Sequence, residues 1–552
     1  MTTPDIASYS CASAVSPPGD RDTEYARIQK EIYALEAAIR ALKRRHNSLS
    51  SISRLPVELL SRTFEFLACG EDNTAKSNPY CVGVSHVCSQ WRQIALENPR
   101  LWRRIQCSFQ PRWAIEMLKR SKMAPITVEG RTSWGASTVD EAIIAALEQL
   151  PRIEHLTLTF RLGWPRLEEI SSILSGAAPL LHTFQMASED GTEAMLRETV
   201  FSGPGGAPQL RRLSLDRCSV PWESEFLRFL THLTVVQLPI ECQLSVDDLV
   251  TNLGHMPQLE SIHFSSVMIP PGDSGLNASP SPSTHLPFIA RIHLEENLMS
   301  CLAFFTTFTY PNNAIVSIKC FPSDYHPANI TPVRDLITVI TAKNIVPITS
   351  LYLENLYFGT FRAQDSQGTR RVFIEFQGVA FQPSSISWDS LTLHHLKFLQ
   401  VAGFEILRSV WLSVFGRLKE LKTIHITDYA GEFLNVLFRG ISRDLAVSHA
   451  AVISSPGKLK FSALTSLSLN STVGEYYGDR PWAEMLVLCF IERRRRGLTL
   501  RRLSIEGHGD GADVVPRLCS FIKHVKWTKV YEEETSDGRD YEDYHDEYSY
   551  YQ

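Results

Sequence analysis

The chain has 552 residues, 44% of them apolar and 21% charged, a composition that can bury a large core. With 55 Lys and Arg against 60 Asp and Glu the formal net charge is -5, so no nucleic-acid partner is expected. No run approaches the ~18 apolar residues of a membrane span, and the N-terminus lacks the basic and apolar regions of a secretory signal, so the expectation is a cytoplasmic or nuclear protein with no membrane partner. Its eleven cysteines, irregularly spaced from Cys11 to Cys519, then read as reduced thiols.

Residues 1–23 are rich in Ser, Ala and Pro with little to bury, and are expected to be disordered. From residue 24 to 49 the pattern changes. Tyr25, Ile28, Ile32, Leu35, Ile39, Leu42, His46 and Leu49 recur at alternating spacings of three and four, the a/d seam of a coiled-coil helix. Acids in its first half and bases in its second complement the helix dipole. An isolated helix of this length is marginal, so the seam needs cover, either from the same chain or by self-association through residues 25–49.

Residues 50–107 form the most specific segment. Pro56 suits the start of a helix, and that helix carries Val57, Leu59, Leu60, Phe64, Phe66 and Leu67, too many apolar residues for one buried stripe. Leu55, placed at the helix N-cap, satisfies no orphan N–H and reads as an anchor for a partner's pocket. A polar loop leads to a second helix, Val82 to Leu96, with Val87, Cys88 and Trp91 at helical spacing, and then to Trp102.

The ordered set Leu55-Pro56-x-Glu58-Leu59-Leu60, Phe64 and Leu67, Val87-Cys88-x-x-Trp91-Arg92 and Pro99-x-Leu101-Trp102 resembles an F-box. It departs from the family in a longer, more polar stretch between Leu67 and Val84. The resemblance implies a small all-α domain that docks on a Skp-type adaptor and through it on a cullin and RING ligase. It implies Leu55, Pro56, Leu59 and Leu60 as adaptor-facing anchors, with Phe64 beside them, and Val87, Cys88, Trp91 and Trp102 divided between that interface and the domain's core. The other reading of these helices is a cap on whatever follows.

Across residues 108–530 the triplet L-x-x-L-x-L, with Ile, Val or Phe substituting, recurs thirteen times from Ile153-Leu156-Leu158 to Ile522-Val525-Trp527. The first seven units start 23 to 30 residues apart, close to the 20–29 spacing of leucine-rich repeats. Helical stretches fall between them, at Asp140–Leu150, Leu167–Leu174, Pro221–Leu230, Val246–Leu253 and Pro481–Arg493. The fold class expected is α/β: a coiled-coil helix and an all-α F-box, then a leucine-rich-repeat-like solenoid with a parallel sheet. A non-repetitive α/β domain is the alternative. Pro270–Ser283 and Tyr357–Ser385 read as surface loops at one edge.

No catalytic constellation, cofactor motif or metal site is found, so neither enzyme nor cofactor is expected. His394-His395 reads as lying on a strand, its side chains on opposite faces. Arg493–Arg496 reads as a solvated helix end. Residues 531–552, with nine acids among six tyrosines, read as a disordered tail. The function implied is a ubiquitin-ligase substrate receptor whose repeat domain holds a target protein of unknown identity. A repeat scaffold outside any ligase is the alternative.

Overall fold

The computed structural model describes residues 18–68, 80–108, 111–132, 137–161, 166–189, 194–195, 199–270, 284–322, 331–343, 346–379, 381–382, 386–438, 459–470, 476–477, 480–507 and 513–529. The expected acidic tail, the loop at 271–283 and the polar stretch at 69–79 lie outside them. The chain divides into two compact units, one of residues 1–182 with Thr199–Ala207, the other of Thr183–Glu198 with Pro208–Gln552. The division falls well beyond residue 107, so the helical segment and the first strands share one unit.

In the first unit, α1 (Pro18–Ser48) is one unbroken helix. Its seam residues Tyr25, Ile28, Ile32, Leu35, Ile39, Leu42 and Leu49 are 41–72% exposed, so among the described residues the chain does not fold back to cover them. A 3-10 turn, Ser51–Arg54, leads to α2 (Val57–Ala68). The single second helix expected is two, α3 (Tyr80–Ser85) and α4 (Ser89–Glu97). The break has a local cause: Cys88 is extended, and its Sγ accepts from the Trp91 N–H at 3.4 Å as the α4 N-cap.

The first strands begin at once. β1 (Arg104–Gln106) is followed by α5 (Pro111–Arg120), β2 (Ile126–Arg131), α6 (Ser137–Leu147), β3 (Ile153–Phe160) and α7 (Leu167–Leu174). β1 pairs with β2 and β2 with β3, all parallel, with β2 burying alternate residues. β1 and β2 escaped the sequence reading because Ile105 alone, and Ile126 with Val128, make no full triplet.

Among the described residues the second unit carries three short two-stranded pairs, and the large sheet has seventeen strands, fourteen of them in this unit. In chain order they are β4 (Thr183–Ser188), β5 (Arg212–Asp216), β6 (His232–Val236), β7 (Ser261–Ser265), β8 (Arg291–Asn297), β9 (Ile315–Phe321), β10 (Ser350–Asn355), β11 (Gly359–Gln364), β12 (Arg370–Phe376), β13 (Phe398–Ala402), β14 (Thr423–Thr427), β15 (Ser466–Asn470), β16 (Arg502–Gly507) and β17 (His524–Lys529). Between strands run α8 (Val246–Gly254), α9 (Leu298–Thr307), α10 (Thr331–Lys343), α11 (Arg408–Ser413), α12 (Gly431–Leu437), α13 (Trp482–Arg495) and α14 (Val515–Cys519).

β4 to β9 pair in sequence order, every ladder parallel. β9 then pairs with β12, which is antiparallel to β11, which is antiparallel to β10. From β10 the parallel order resumes through β13 to β17. Tyr357–Ser385 is therefore not a surface loop. Most of it is a hairpin inserted into the sheet, and a wholly parallel sheet is corrected to a mixed one.

Strand ends repeat one device. The residue just after β5, β6, β7, β13 and β14 (Arg217, Gln237, Ser266, Gly403 and Asp428) is left-handed, with φ between 52° and 77°. Each donates its N–H to the last or near-last carbonyl of the neighbouring strand, Val236, Ser265, Glu295, Thr427 and Asn470 respectively. Four of the five carry a side chain and accept the strain of that conformation, which the recurring bond offsets.

Burial corrects three of the expected triplets. On β6 the inward residues are Leu233 and Val235, below Leu230, so Val236 is not one of them, while Leu238 is buried just beyond the strand's end. On β9 they are Val316, Ile318 and Cys320, so Ile315 is not an inward anchor. Trp388–Ser390 is a 3-10 turn, and the strand there is β13, with Leu399 and Val401 inside. The helix expected at Pro221–Leu230 is a 3-10 turn, Glu225–Phe229.

Candidate functional site

α2 is anchored before it begins. The Pro56 carbonyl accepts the N–H of both Leu59 and Leu60 at 3.1 Å, and Glu58 lies near the positive helix end. α2 starts at Val57, so Leu55 lies before the cap rather than at it. On the inward face Leu60 and Phe64 are fully buried, Phe64 resting on Trp91 with ring centroids 4.9 Å apart. Trp102 is fully buried, its indole N–H donating to the Ala95 carbonyl at 2.7 Å and its ring lying 4.5 Å from the Arg120 guanidinium carbon.

Asn98 fastens the end of α4 to α2. Its amide nitrogen donates to Ser61 Oγ at 2.7 Å and Glu65 Oε1 at 2.9 Å, while its amide oxygen accepts from the Arg100 N–H at 3.0 Å. The sequence reading passed over Asn98. An Asn directly before Pro99 was the available signal, because that pair starts a new turn.

Apolar residues are exposed before, along and beyond the same helix. Leu55, Val57, Leu59, Phe66, Leu67 and Val87 are 40–69% exposed, and Pro56 is exposed among them. Of the nine residues expected to face an adaptor, Leu55, Pro56, Leu59 and Val87 lie outside and Cys88 and Trp91 are half-buried. Leu60 and Phe64 are corrected: they are buried in the domain's own core and present no surface, and Trp102 falls on the core side of the expected division. Val57, Phe66 and Leu67 are exposed as well and were not among the nine. The excess of apolar residues on α2 was their signal.

Residues 52–108 match the F-box-like family model. The matched segment runs from the turn before α2 to the end of β1, so this F-box-like domain passes directly into the first ladder of its unit. F-box domains bind Skp-type adaptors, and the domain gives the chain a role in ubiquitin ligation or protein interaction. No curated protein matches the chain. No described helix is long and apolar enough to cross a membrane.

The second unit presents a different surface, formed by strand residues that alternate with the buried ones. An aromatic line crosses four of its strands: Arg362 on β11 lies 4.1 Å from the Tyr352 ring on β10, Tyr352 lies 5.0 Å from Phe398 on β13, and Phe398 lies 4.9 Å from His425 on β14. Burial, and after it the Arg502 charge, lower the His425 pKa and favour its neutral form, while Arg362 also meets Glu354 at 3.3 Å.

His263, His293 and Glu295 on neighbouring β7 and β8 have ligand-type atoms within 4.8 Å of one another. Glu295 is already engaged: one oxygen is 3.0 Å from His293 Nε2 and 2.7 Å from Lys319 Nζ. A divalent cation would have to displace or share that carboxylate with an ammonium, so the trio reads as an internally satisfied ionic cluster.

Two expectations about charged groups are corrected. His394 and His395 lie in a turn with ring centroids 4.4 Å apart rather than on opposite faces of a strand, and His395 reaches Glu420 at 3.4 Å. Arg493 is not solvated. It is 2% exposed, and its guanidinium donates to the carbonyls of Lys460 at 2.8 Å and Phe461 at 2.5 Å.

The described cysteines Cys88, Cys107, Cys218, Cys242, Cys301, Cys320, Cys489 and Cys519 are free thiols. Burial pushes the Cys107, Cys218 and Cys489 thiols up to about 12, so they stay protonated. A cleft between α10 and the inserted hairpin, lined by Thr341, Ile348, Asp365 and Val372, holds about 10 Å³, room for a water but not for an organic ligand.

Proposed function

We propose that the chain is the substrate-receptor subunit of a Skp-cullin-F-box type ubiquitin ligase. The observation that carries this reading is the exposed apolar set Leu55, Pro56 and Leu59 at the start of α2, with Val87 exposed ahead of α4, beside a helix fixed in place through Leu60, Phe64, Trp91 and Asn98. A pre-organised apolar face meets a partner without a large ordering penalty, which is what a constitutive adaptor contact needs.

The second unit, read as leucine-rich-repeat-like, would hold the target protein on its exposed strand face. The line of Arg362, Tyr352, Phe398 and His425 supplies the aromatic and guanidinium side chains that dominate protein interfaces. The chemistry is proximity: a receptor holds a target lysine near the ligase's charged ubiquitin carrier and raises its effective concentration. No residue of this chain acts as a catalyst and no cofactor is used. Its place of work is the cytoplasm or nucleus, where such ligases operate.

The test is co-purification of the full chain with a Skp-type adaptor, beside the double variant Leu55→Asp, Pro56→Ala. Capture by the wild type, loss in the variant and an unchanged melting temperature support the receptor reading. Equal capture of both proteins overturns it.

A further inference from the structure

Among the described residues nothing covers the α1 seam, and its charges state what can cover it. With Tyr25, Ile32, Ile39 and His46 at a positions and Ile28, Leu35, Leu42 and Leu49 at d positions, the flanking g positions hold Glu24, Glu31, Ala38 and Arg45 and the e positions Gln29, Glu36 and Lys43.

We propose that two copies of this chain pair through α1 as an antiparallel two-stranded coiled coil. In a parallel pair, g residues face e residues five positions on in the second copy. That sets Glu31 against Glu36, a like-charge contact made twice, and offers no opposite-charge contact. It also stacks Arg40, Lys43, Arg44 and Arg45 of both copies at one end and places His46 against His46.

Reversing one copy changes each of these. The a residues then pack on d residues: Ile32 on Leu42, Leu35 on Ile39 and Ile28 on His46 of the second copy, each layer occurring twice by symmetry. The g positions now face g positions, setting Glu31 against Arg45 twice and Ala38 against Ala38. The acid-bearing half of each helix lies along the basic half of the other. One like-charge contact remains, Glu36 with Glu36 at the centre. Arg40 sits one turn away on the same helix, 3.4 Å from Glu36, and answers it.

A second copy fits this face better than an unrelated helix because the seam is self-complementary about its midpoint in both shape and charge. The 31 residues of α1 would span about 46 Å. The two F-box-like domains, each following its own α1, would then start from opposite ends of the coil.

Sedimentation equilibrium of the full chain at micromolar concentration reads this directly. The wild type is expected to be a dimer and Ile32→Glu with Ile39→Glu a monomer, both positions being exposed and harmless to folding. Orientation is read by charge exchange. Glu31→Arg should raise the dimer dissociation constant about tenfold by making two Arg–Arg contacts, and adding Arg45→Glu should restore it. A monomeric wild type, a dimer indifferent to the Ile32 and Ile39 substitutions, or a dimer tightened by Glu31→Arg, as a parallel pair requires, overturns the proposal.

Discussion

Phe64 on α2 rests on Trp91 of α4, with ring centroids 4.9 Å apart and planes tilted by 52°. That contact holds α2 in place, and the exposed Leu59 depends on it for its position. Phe64→Ala should therefore lower the stability of the F-box-like domain by ~3–5 kcal/mol through the cavity it leaves. Hydrogen exchange across residues 57–102 would report it as lost protection. Leu59→Asp, at an exposed position of the same helix, should leave protection intact while abolishing adaptor capture.

Glu296 gives the second unit a pH dependence with a definite sign. It is buried on β8, where Oε1 accepts the N–H of Val267 at 2.5 Å and of Met268 at 3.4 Å. Burial nevertheless pushes its carboxyl up to about 7 from an ordinary 4.5. Between those values the folded chain keeps a proton that the unfolded chain has released, so stability falls as pH rises through the window and levels off above about 7. Glu296→Gln should remove that slope, a difference on the order of 3 kcal/mol at pH 8 relative to pH 4.5. Paired urea titrations of wild type and variant across the range would measure it.

Arg493 should behave as a structural cation. Arg493→Met keeps the buried stem but leaves the carbonyls of Lys460 and Phe461 without a donor. A loss of ~2–4 kcal/mol is expected, read as a lower denaturant midpoint with an unchanged slope. Its neighbours Arg495 and Arg496 pair with Glu492 at 3.7 and 2.8 Å at an exposed helix end. Their alanine variants should shift the midpoint by well under ~1 kcal/mol equivalent.

The inserted hairpin is held by its turn. One carboxylate oxygen of Asp365 accepts the N–H of Gln367 at 2.9 Å and of Thr369 at 3.0 Å, and the other meets Arg371 at 2.7 Å, whose guanidinium reaches the Asn313 carbonyl at 2.7 Å. Asp365→Ala should cost ~2–3 kcal/mol, seen as a lower melting temperature. Gly359→Ala should act as strongly from the other end of β11, because a Cβ there would collide with the Phe381 side chain.

Much of this architecture is legible in the amino-acid order, and the exceptions have physical causes. Leu210, Leu213, Leu215 and Cys218 are buried as their pattern implies, since leucines separated by polar residues allow one register. At Leu233 the run LTVVQL fits two registers. The left-handed Gln237 ends the strand before Leu238 can join it. On α2 every position from Val57 to Leu60 except Glu58 is apolar, so composition could not say that Leu59 looks out while Leu60 looks in.

The hairpin was readable and was missed. Phe361 and Ala363 alternate toward Asp365, Gly368 takes the turn at φ 77°, and Val372, Ile374 and Phe376 alternate away from it. A search for triplets spaced 20–29 residues apart passes over a strand pair that breaks that spacing.

The place of that hairpin also orders events during synthesis. β10 leaves the ribosome before β11 and β12, yet in the finished sheet both lie between it and β9. The exposed edge of β9 must therefore wait roughly 55 residues, from Phe321 to Phe376, for its partner, several seconds at ordinary elongation rates. Until then β10, which runs parallel to β9, offers a wrong neighbour of the correct polarity, and early pairing of β9 with β10 would shut the hairpin out of the sheet.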